Sequence, residues 1–238
     1  GFVRTDRTNV ATYYASDLRV RIQSELAFYD TQLFIVARDS ALANFLNGDD
    51  AAGRQFAENL LTLAEESPSI SQARFIDTMG NEIVRVDSRL GQARIVPPDE
   101  LQNKSNRYYF IEAMQREVGE IIASALDLNV EFEEIVVPWE PTIRFATPID
   151  TADGRQGIVV LNFNASRFLG LFDAAEQPPF ISSTILNGDG YWLAGVPAEK
   201  RWGVMFNNNS SMAAEDTALW AHLSEDAPDV FVRDGEVI

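Results

Sequence analysis

Along the first 48 residues, apolar positions recur at Val10, Tyr13, Tyr14, Leu18, Ile22, Leu26, Tyr29, Leu33, Val36, Leu42, Phe45 and Leu46. The steps are mostly three and four, which places these residues on one face of an α-helix. No Gly or Pro stands between Gly1 and Gly48, and Thr5, Asp6 and Thr8 offer N-caps. The pattern predicts a single helix of about 40 residues, ~60 Å long at ~1.5 Å per residue. Asn47-Gly48-Asp49-Asp50 closes it, with Gly48 suited to the left-handed position after a helix. A second helix is expected over 51–66, stopped before Pro68.

From Ser71 the apolar period changes to two. Strands over 73–77 and 82–87 flank Thr78-Met79-Gly80-Asn81 and predict a β-hairpin. The Pro97-Pro98 loop leads to a helix over 106–116, and strands follow over 120–124, 135–137, 143–149 and 157–163. This order predicts an α+β fold with an antiparallel sheet. A short helix over 166–172 and a break at Pro178-Pro179 end the module.

The pattern then restarts. Ile185-Leu186-Asn187-Gly188-Asp189-Gly190-Tyr191-Trp192-Leu193 overlays Phe75-Ile76-Asp77-Thr78-Met79-Gly80-Asn81-Glu82-Ile83 at an offset of 110 residues. Each copy is followed by a helix, over 108–116 and 212–223, which reads as a two-copy duplication. The domains expected are 1–66 (the two helices), 67–175 (first α/β module) and 176–238 (second module, incomplete). A strand over 229–233, the Asp234-Gly235 turn and a return strand over 236–238 would leave the second sheet unfinished. The chain therefore reads as a piece of a longer protein.

Composition narrows the chemistry. The formal net charge of −17 lacks the basic stripe that nucleic acid or anionic lipid requires. Without Cys there is no disulfide, thiol nucleophile or Cys–zinc site, and the single His222 rules out two-histidine metal sites. His222 sits in Leu219-Trp220-Ala221-His222-Leu223 and reads as a helix residue, not a catalytic one. No GxSxG, P-loop or HExxH motif occurs. No catalytic or metal-ligating residue is assigned, and no cofactor is expected. Glu131, Glu133 and Glu134 read as a solvated hairpin tip, and Asp189 as a turn residue.

A long N-terminal helix followed by two PAS-like modules resembles the double Cache (PDC-type) extracytoplasmic sensor domains of bacterial membrane histidine kinases, diguanylate cyclases and chemoreceptors. The stretches carrying the resemblance are 106–114, 124–129, 144–149 with 157–162, and 186–193 with 202–206. It implies a ligand pocket in the membrane-distal first module and a membrane-proximal second module that passes the signal on. It also implies membrane spans flanking the fragment, a periplasmic location, and an output kinase or cyclase outside it.

Some members of the family bind amino acids through an Arg-x-Trp-Tyr segment and a later Asp. Here Arg107-x-Tyr109-Phe110 and Asp127 are similar to them, with Tyr-Phe in place of Trp-Tyr. An Arg fork suits a carboxylate, an Asp an ammonium, and the aromatic rings an apolar body or cation. The competing reading places Tyr109 and Phe110 in the core and pairs Arg107 with a surface acid. Alternation turns Arg144 away from Ile143 and Phe145, toward either the pocket or solvent. The ligand set implied is thus Arg107, Tyr109, Phe110, Asp127 and Arg144, for an amino acid, organic acid or amine. A homodimer is expected through the 10/14/18/22/26/29/33 stripe of the long helix. The alternative partner is a periplasmic binding protein in place of a free solute.

Overall fold

The computed structural model describes residues 2–89, 91–173, 177, 181–224, 232–233 and 236–237. The Pro178-Pro179 break, the Asp234-Gly235 turn and residues 229–231 and 238 of the last expected strands lie outside these. The flanking pairs Val232↔Val237 and Arg233↔Glu236 are antiparallel.

The chain is α+β, with helix first and antiparallel strands after it. The long helix, α1, covers Phe2–Ala37 and is 36 residues long. It stops short of the expected end because Asp39 starts a new helix, α2 (Ser40–Leu46), by accepting from the Ala41 N–H at 2.7 Å. The second Asp39 oxygen accepts from Asn59 Nδ2 at 2.8 Å, which ties the break to α3 (Asp50–Glu66). An N-cap needs neither Gly nor Pro, so an interruption with no breaker residue escapes a periodicity argument. Asp49 caps α3 through the Ala51 and Ala52 N–H groups.

By contact density the chain divides into two compact units, Ala27–Ala165 and Gly1–Leu26 with Ser166–Ile238. The first holds a seven-stranded antiparallel sheet. Its strands are β1 (Ile70–Asp77), β2 (Glu82–Arg89), β3 (Gln92–Ile95), β4 (Ile122–Ala123), β5 (Asp127–Leu128), β8 (Pro141–Thr151) and β9 (Gly154–Asn164). The order is β3-β2-β1-β9-β8-β4, with β5 also on β8. Between β5 and β8, β6 (Val130–Glu131) and β7 (Glu134–Ile135) form a separate hairpin. Of the strand expected over 135–137, only Ile135 is strand, in the return arm of this hairpin.

Alternation sorts the sheet residues onto two faces. On one face Phe145 and Phe163 receive Tyr29 of α1, whose ring stacks on Phe163 at 3.8 Å. The other face supplies Ile76, Ala146, Ile158 and Val160. There α4 (Tyr108–Met114), shorter than the helix expected over 106–116, packs Tyr109, Phe110 and Ala113. Leu18, Tyr29 and Leu33 are buried within the chain. Of the other positions in the stripe expected to bind a second copy, Tyr14, Ile22 and Leu26 are half-buried and Val10 is exposed.

The second unit contains α5 (Ser166–Leu169), β10 (Ile185–Leu186), β11 (Trp192–Ala194), α6 (Met212–Glu215) and α7 (Thr217–Ser224), then β12 (Val232–Arg233) and β13 (Glu236–Val237). The helix expected over 212–223 is split at Asp216, whose side chain accepts from Leu219 N. The duplicated turn repeats to the hydrogen bond. Asp77 accepts from the N–H groups of Met79 and Asn81, and Asn187 from those of Asp189 and Tyr191. Gly80 and Gly190 both sit at φ 82°, and their carbonyls accept from Lys104 N and Met212 N. A Cβ on Gly80 would lie 2.5 Å from Ser105 N, so conformation and space both require glycine there.

Candidate functional site

Residues opposed across antiparallel strands share a face. The pairings Gln72↔Asp87, Gln72↔Asn162 and Arg144↔Asn162 put four polar side chains in one row across the sheet. The next row holds Arg85 opposite Arg74. In sequence, Gln72 and Arg74 alternate with Ala73 and Phe75 and read as the wet side of a half-buried strand. In the structure that side is covered, and Gln72, Arg74, Arg85, Arg144 and Asn162 are all buried.

Burial forces pairing. Arg74 is 1% exposed and donates through Nη1 to Glu82 Oε1 at 3.3 Å and the Tyr109 hydroxyl at 3.2 Å, and through Nη2 to Asn162 Oδ1. Its Nε is buried with no hydrogen-bond partner among the described residues. Arg85 donates to Asp87 at 2.7 and 3.1 Å and reaches Glu82 at 3.3 Å. Burial works against the charge on Arg85, but the Asp87 hydrogen bond and the Asp87, Glu82 and Glu131 carboxylates outweigh it and raise its pKa.

Glu131 departs most from expectation. Of the three acids expected at a solvated tip, Glu133 and Glu134 are exposed, but Glu131 is an inserted carboxylate, 16% exposed at the side chain. It accepts from Gln72 Nε2 at 2.7 Å and Gln102 Nε2 at 2.9 Å, with Arg85 at 3.4 Å and Lys104 Nζ at 3.6 Å. Burial pushes its pKa up, but Arg85, Lys104, the Gln72 bond and Arg74 hold it down at about 2. Lys104 is itself buried, and burial followed by the nearby Arg74 charge lowers its pKa. Its ammonium also donates to Gln102 Oε1 at 2.9 Å. None of Arg74, Glu82, Arg85, Lys104 or Glu131 was singled out from the sequence as a site residue. The one available signal was a buried-strand alternation that carries charge.

The structure brings three of the five expected residues together. Arg144 pairs with Asp127 at 2.6 Å, and its guanidinium lies 5.4 Å from the Tyr109 ring centre, with that of Arg74 at 5.6 Å. Of the two orientations open to Arg144, the inward one is observed. Tyr108, outside the expected ligand set, donates to Asp127 at 3.0 Å. Burial first, and then the Asp127 charge, raises the Tyr108 pKa. Phe110 lies in the apolar cluster under α4. Arg107 is the half-buried residue before α4, and its side chain does not cap that helix.

Beside this network opens a cleft of about 720 Å³, within the usual ~300–1,000 Å³ of ligand sites. Gln72, Arg85 and Asp87 belong to its lining, as do Ala93 of β3 and Glu131 and Phe132 of the β6–β7 hairpin. Arg107, Tyr109, Phe110, Asp127 and Arg144 do not line it. Phe132 and Glu133, the two residues closing the hairpin, have φ of 50° and 66°. Such turns favour Asn-Gly, and a bulky residue held there costs ~1–3 kcal/mol. Phe132 is also 74% exposed. Among the described residues no group of three or more His, Asp or Glu side chains is placed to hold a metal ion. No helix among them is long and apolar enough to cross a membrane.

The model of the bacterial histidine kinase sensor domain matches residues 22–238. The chain belongs to that family. Solved sensor domains share its fold. A domain from a sensory box/GGDEF family protein of Vibrio parahaemolyticus aligns at TM-score 0.78 and 19% identity, covering 97% of this chain and 86% of that one. The extracellular domain of the histidine kinase vpHK1S-Z8 aligns at 0.77 and 19%, covering 97% and 82%. The ligand-binding domain of the Campylobacter jejuni chemoreceptor Tlp3, in complex with 4-methylisoleucine, aligns at 0.68 and 9%, covering 100% and 86%. No curated protein matches the sequence. Membership in the sensor family assigns the chain to detection of a signal.

Proposed function

We propose that this sensor domain is the extracytoplasmic part of a membrane histidine kinase or diguanylate cyclase and binds a small solute in its Ala27–Ala165 unit. The observation carrying this reading is the open cleft of about 720 Å³ set against buried charged side chains. A fold that needed only stability would gain as much from apolar residues there, because buried ion pairs are weak stabilisers. Similar folds crystallised with 4-methylisoleucine, L-norvaline and L-valine support a small polar ligand with an apolar body. Arg107, Tyr109, Phe110, Asp127 and Arg144 are retained in the proposal as the α4 side of the site. Arg74 links them to the cleft through Tyr109, Glu82 and Arg85.

Ligand binding would act by population shift, with a coupling of ~1–3 kcal/mol passed to α1. The homodimer belongs to this proposal on a different helix face. Phe28 and Ile35 are exposed at a spacing of seven residues along the part of α1 that belongs to the Ala27–Ala165 unit. This is about two helical turns per step, and we assign that face to the second copy.

A second reading, recognition of a periplasmic binding protein, is favoured by Phe132, Val137 and Trp139, exposed at 74%, 78% and 44%. Thermal unfolding with a panel of amino acids, organic acids and amines separates the two. A solute at ~100 times its Kd adds about 2.7 kcal/mol and raises the midpoint by several degrees. A midpoint unmoved by every solute ends the direct-solute reading.

A further inference from the structure

The Glu131 carboxylate sits as a bound carboxylate would. Its partners come from three segments distant in sequence: Gln72 on β1, Arg85 on β2 and Gln102 in the loop before α4 donate to it, and Lys104 of that loop forms an ion pair at 3.6 Å. Two amide N–H donors, one ammonium and one guanidinium converge on one pair of oxygens. Convergent donors of this kind characterise a carboxylate site. The carboxylate is delivered by a hairpin whose two closing residues occupy left-handed φ values. The hairpin therefore carries backbone strain at its turn and is fastened by one charged side chain.

We propose that the Gln72/Arg85/Gln102/Lys104 cage is a binding site for a small monocarboxylate, which Glu131 occupies as a tethered competitor until the solute displaces it and frees the β6–β7 hairpin. The proposal rests on the solute-sensing reading above and adds to it the ligand's charged group and the residue it replaces. Displacement leaves no charge stranded. Arg85 keeps Asp87 and Glu82, and the incoming carboxylate replaces the Glu131 partner of Lys104. The rest of the lining limits the other end of the ligand. Asp87, Glu100, Glu134 and Glu140 stand there against Arg89 and Arg94. Arg89 and Arg94 pair with Glu140 and Glu100. A second negative group on the solute is disfavoured, and an uncharged or cationic remainder is accepted. Because Glu131 is tethered, the solute competes against a high local concentration, and its apparent affinity is the intrinsic one scaled down by the small open fraction.

Chemical rescue tests the proposal. Glu131→Ala empties the cage, and sodium acetate titrated against sodium chloride at equal ionic strength probes it. The expected result is a lowered thermal midpoint that acetate largely restores, with acetate affinity at least about tenfold above that of the unaltered chain. Hydrogen exchange over residues 130–135 of the unaltered chain should accelerate at saturating acetate. Equal acetate responses in the two chains, or none in Glu131→Ala, overturn the cage as an anion site. If Glu131→Ala does not fold, Glu131→Gln keeps the side-chain shape, and its hairpin amides should exchange faster without acetate; unchanged exchange overturns the tether. The solute panel on the unaltered chain reads the sensing proposal independently. A solute that binds without competing with acetate in Glu131→Ala upholds sensing and overturns the cage. Acetate rescue with no solute binding the unaltered chain upholds the cage and ends the sensing proposal.

Discussion

Glu131→Gln should remove a pH-dependent share of the stability of the Ala27–Ala165 unit. The carboxyl titrates at about 2 in the folded chain, against an ordinary 4.5. A difference of that size corresponds to roughly 3 kcal/mol. The 16% of the side chain left exposed lets solvent screen part of it, which brings the figure to about 2 kcal/mol. The sign follows from linkage. A folded-state pKa below the unfolded one means that the unfolded chain binds more protons, so the contribution is complete above 4.5. It is lost as the pH falls from there toward about 2. Urea unfolding followed by circular dichroism, on the chain and the variant, measures the difference. We expect it to be ~2 kcal/mol at neutral pH and to shrink to less than half that by about pH 3. Glu134→Gln, exposed on the same hairpin, should change stability by less than ~0.5 kcal/mol. A Glu131→Gln difference that stays constant between neutral pH and pH 3, or is absent at neutral pH, refutes the ion cage.

Two further outcomes follow from the geometry. Gly157→Ala should destabilise the unit by more than ~2 kcal/mol, because its Cβ would lie 2.1 Å from the Ile76 carbonyl oxygen at a φ of +150°; equilibrium unfolding in urea reads this. Arg144→Gln should cost ~3–5 kcal/mol by leaving Asp127 without its ion-pair partner. Adding Asp127→Asn should recover ~1–3 kcal/mol of that loss in a double-mutant cycle, and strict additivity would show the pair to be energetically silent.

The fold class was open to inspection because its signals are local. The α1 stripe needs only side-chain spacing. The hairpin at 77–82 needs only a glycine placed where a left-handed φ and a close backbone approach coincide. That same requirement explains why the duplicated turn could be found by overlaying Asp77 on Asn187 and Gly80 on Gly190. The pattern missed the short strands β3 and β5, and it missed two interruptions made by polar side chains. Asp39 ends α1 by capping α2, and Asp216 splits the last helix, and in neither place does a glycine or proline mark the break.

The site was only half legible. Arg107, Tyr109, Phe110, Asp127 and Arg144 came from one short segment and two later residues. Of these, Tyr109, Asp127 and Arg144 do meet, because α4 packs on the strand that carries Arg144. Glu131 was misread because charge in a short hairpin ordinarily means solvent. Nothing in Val130-Glu131-Phe132-Glu133 shows that three other segments aim donors at one of its two acids. Residues 72, 85, 102, 104 and 131 are scattered over 60 positions, and strand register alone places the first two on one face.

The sequence by itself determined the α+β class, the long first helix, the main strands of the sheet, the repeated Asx-x-x-Gly turn and the absence of thiol chemistry. These depend on periodicity, backbone conformation and residue type, which act over a few neighbours. Only the tertiary structure decided which polar side chains are dry, which carboxylate lies in the cage and which face of α1 stays free. Burial and charge pairing depend on what the rest of the chain lays over a residue. A face that reads as wet in an isolated strand becomes the floor of a site once a helix and a hairpin cover it.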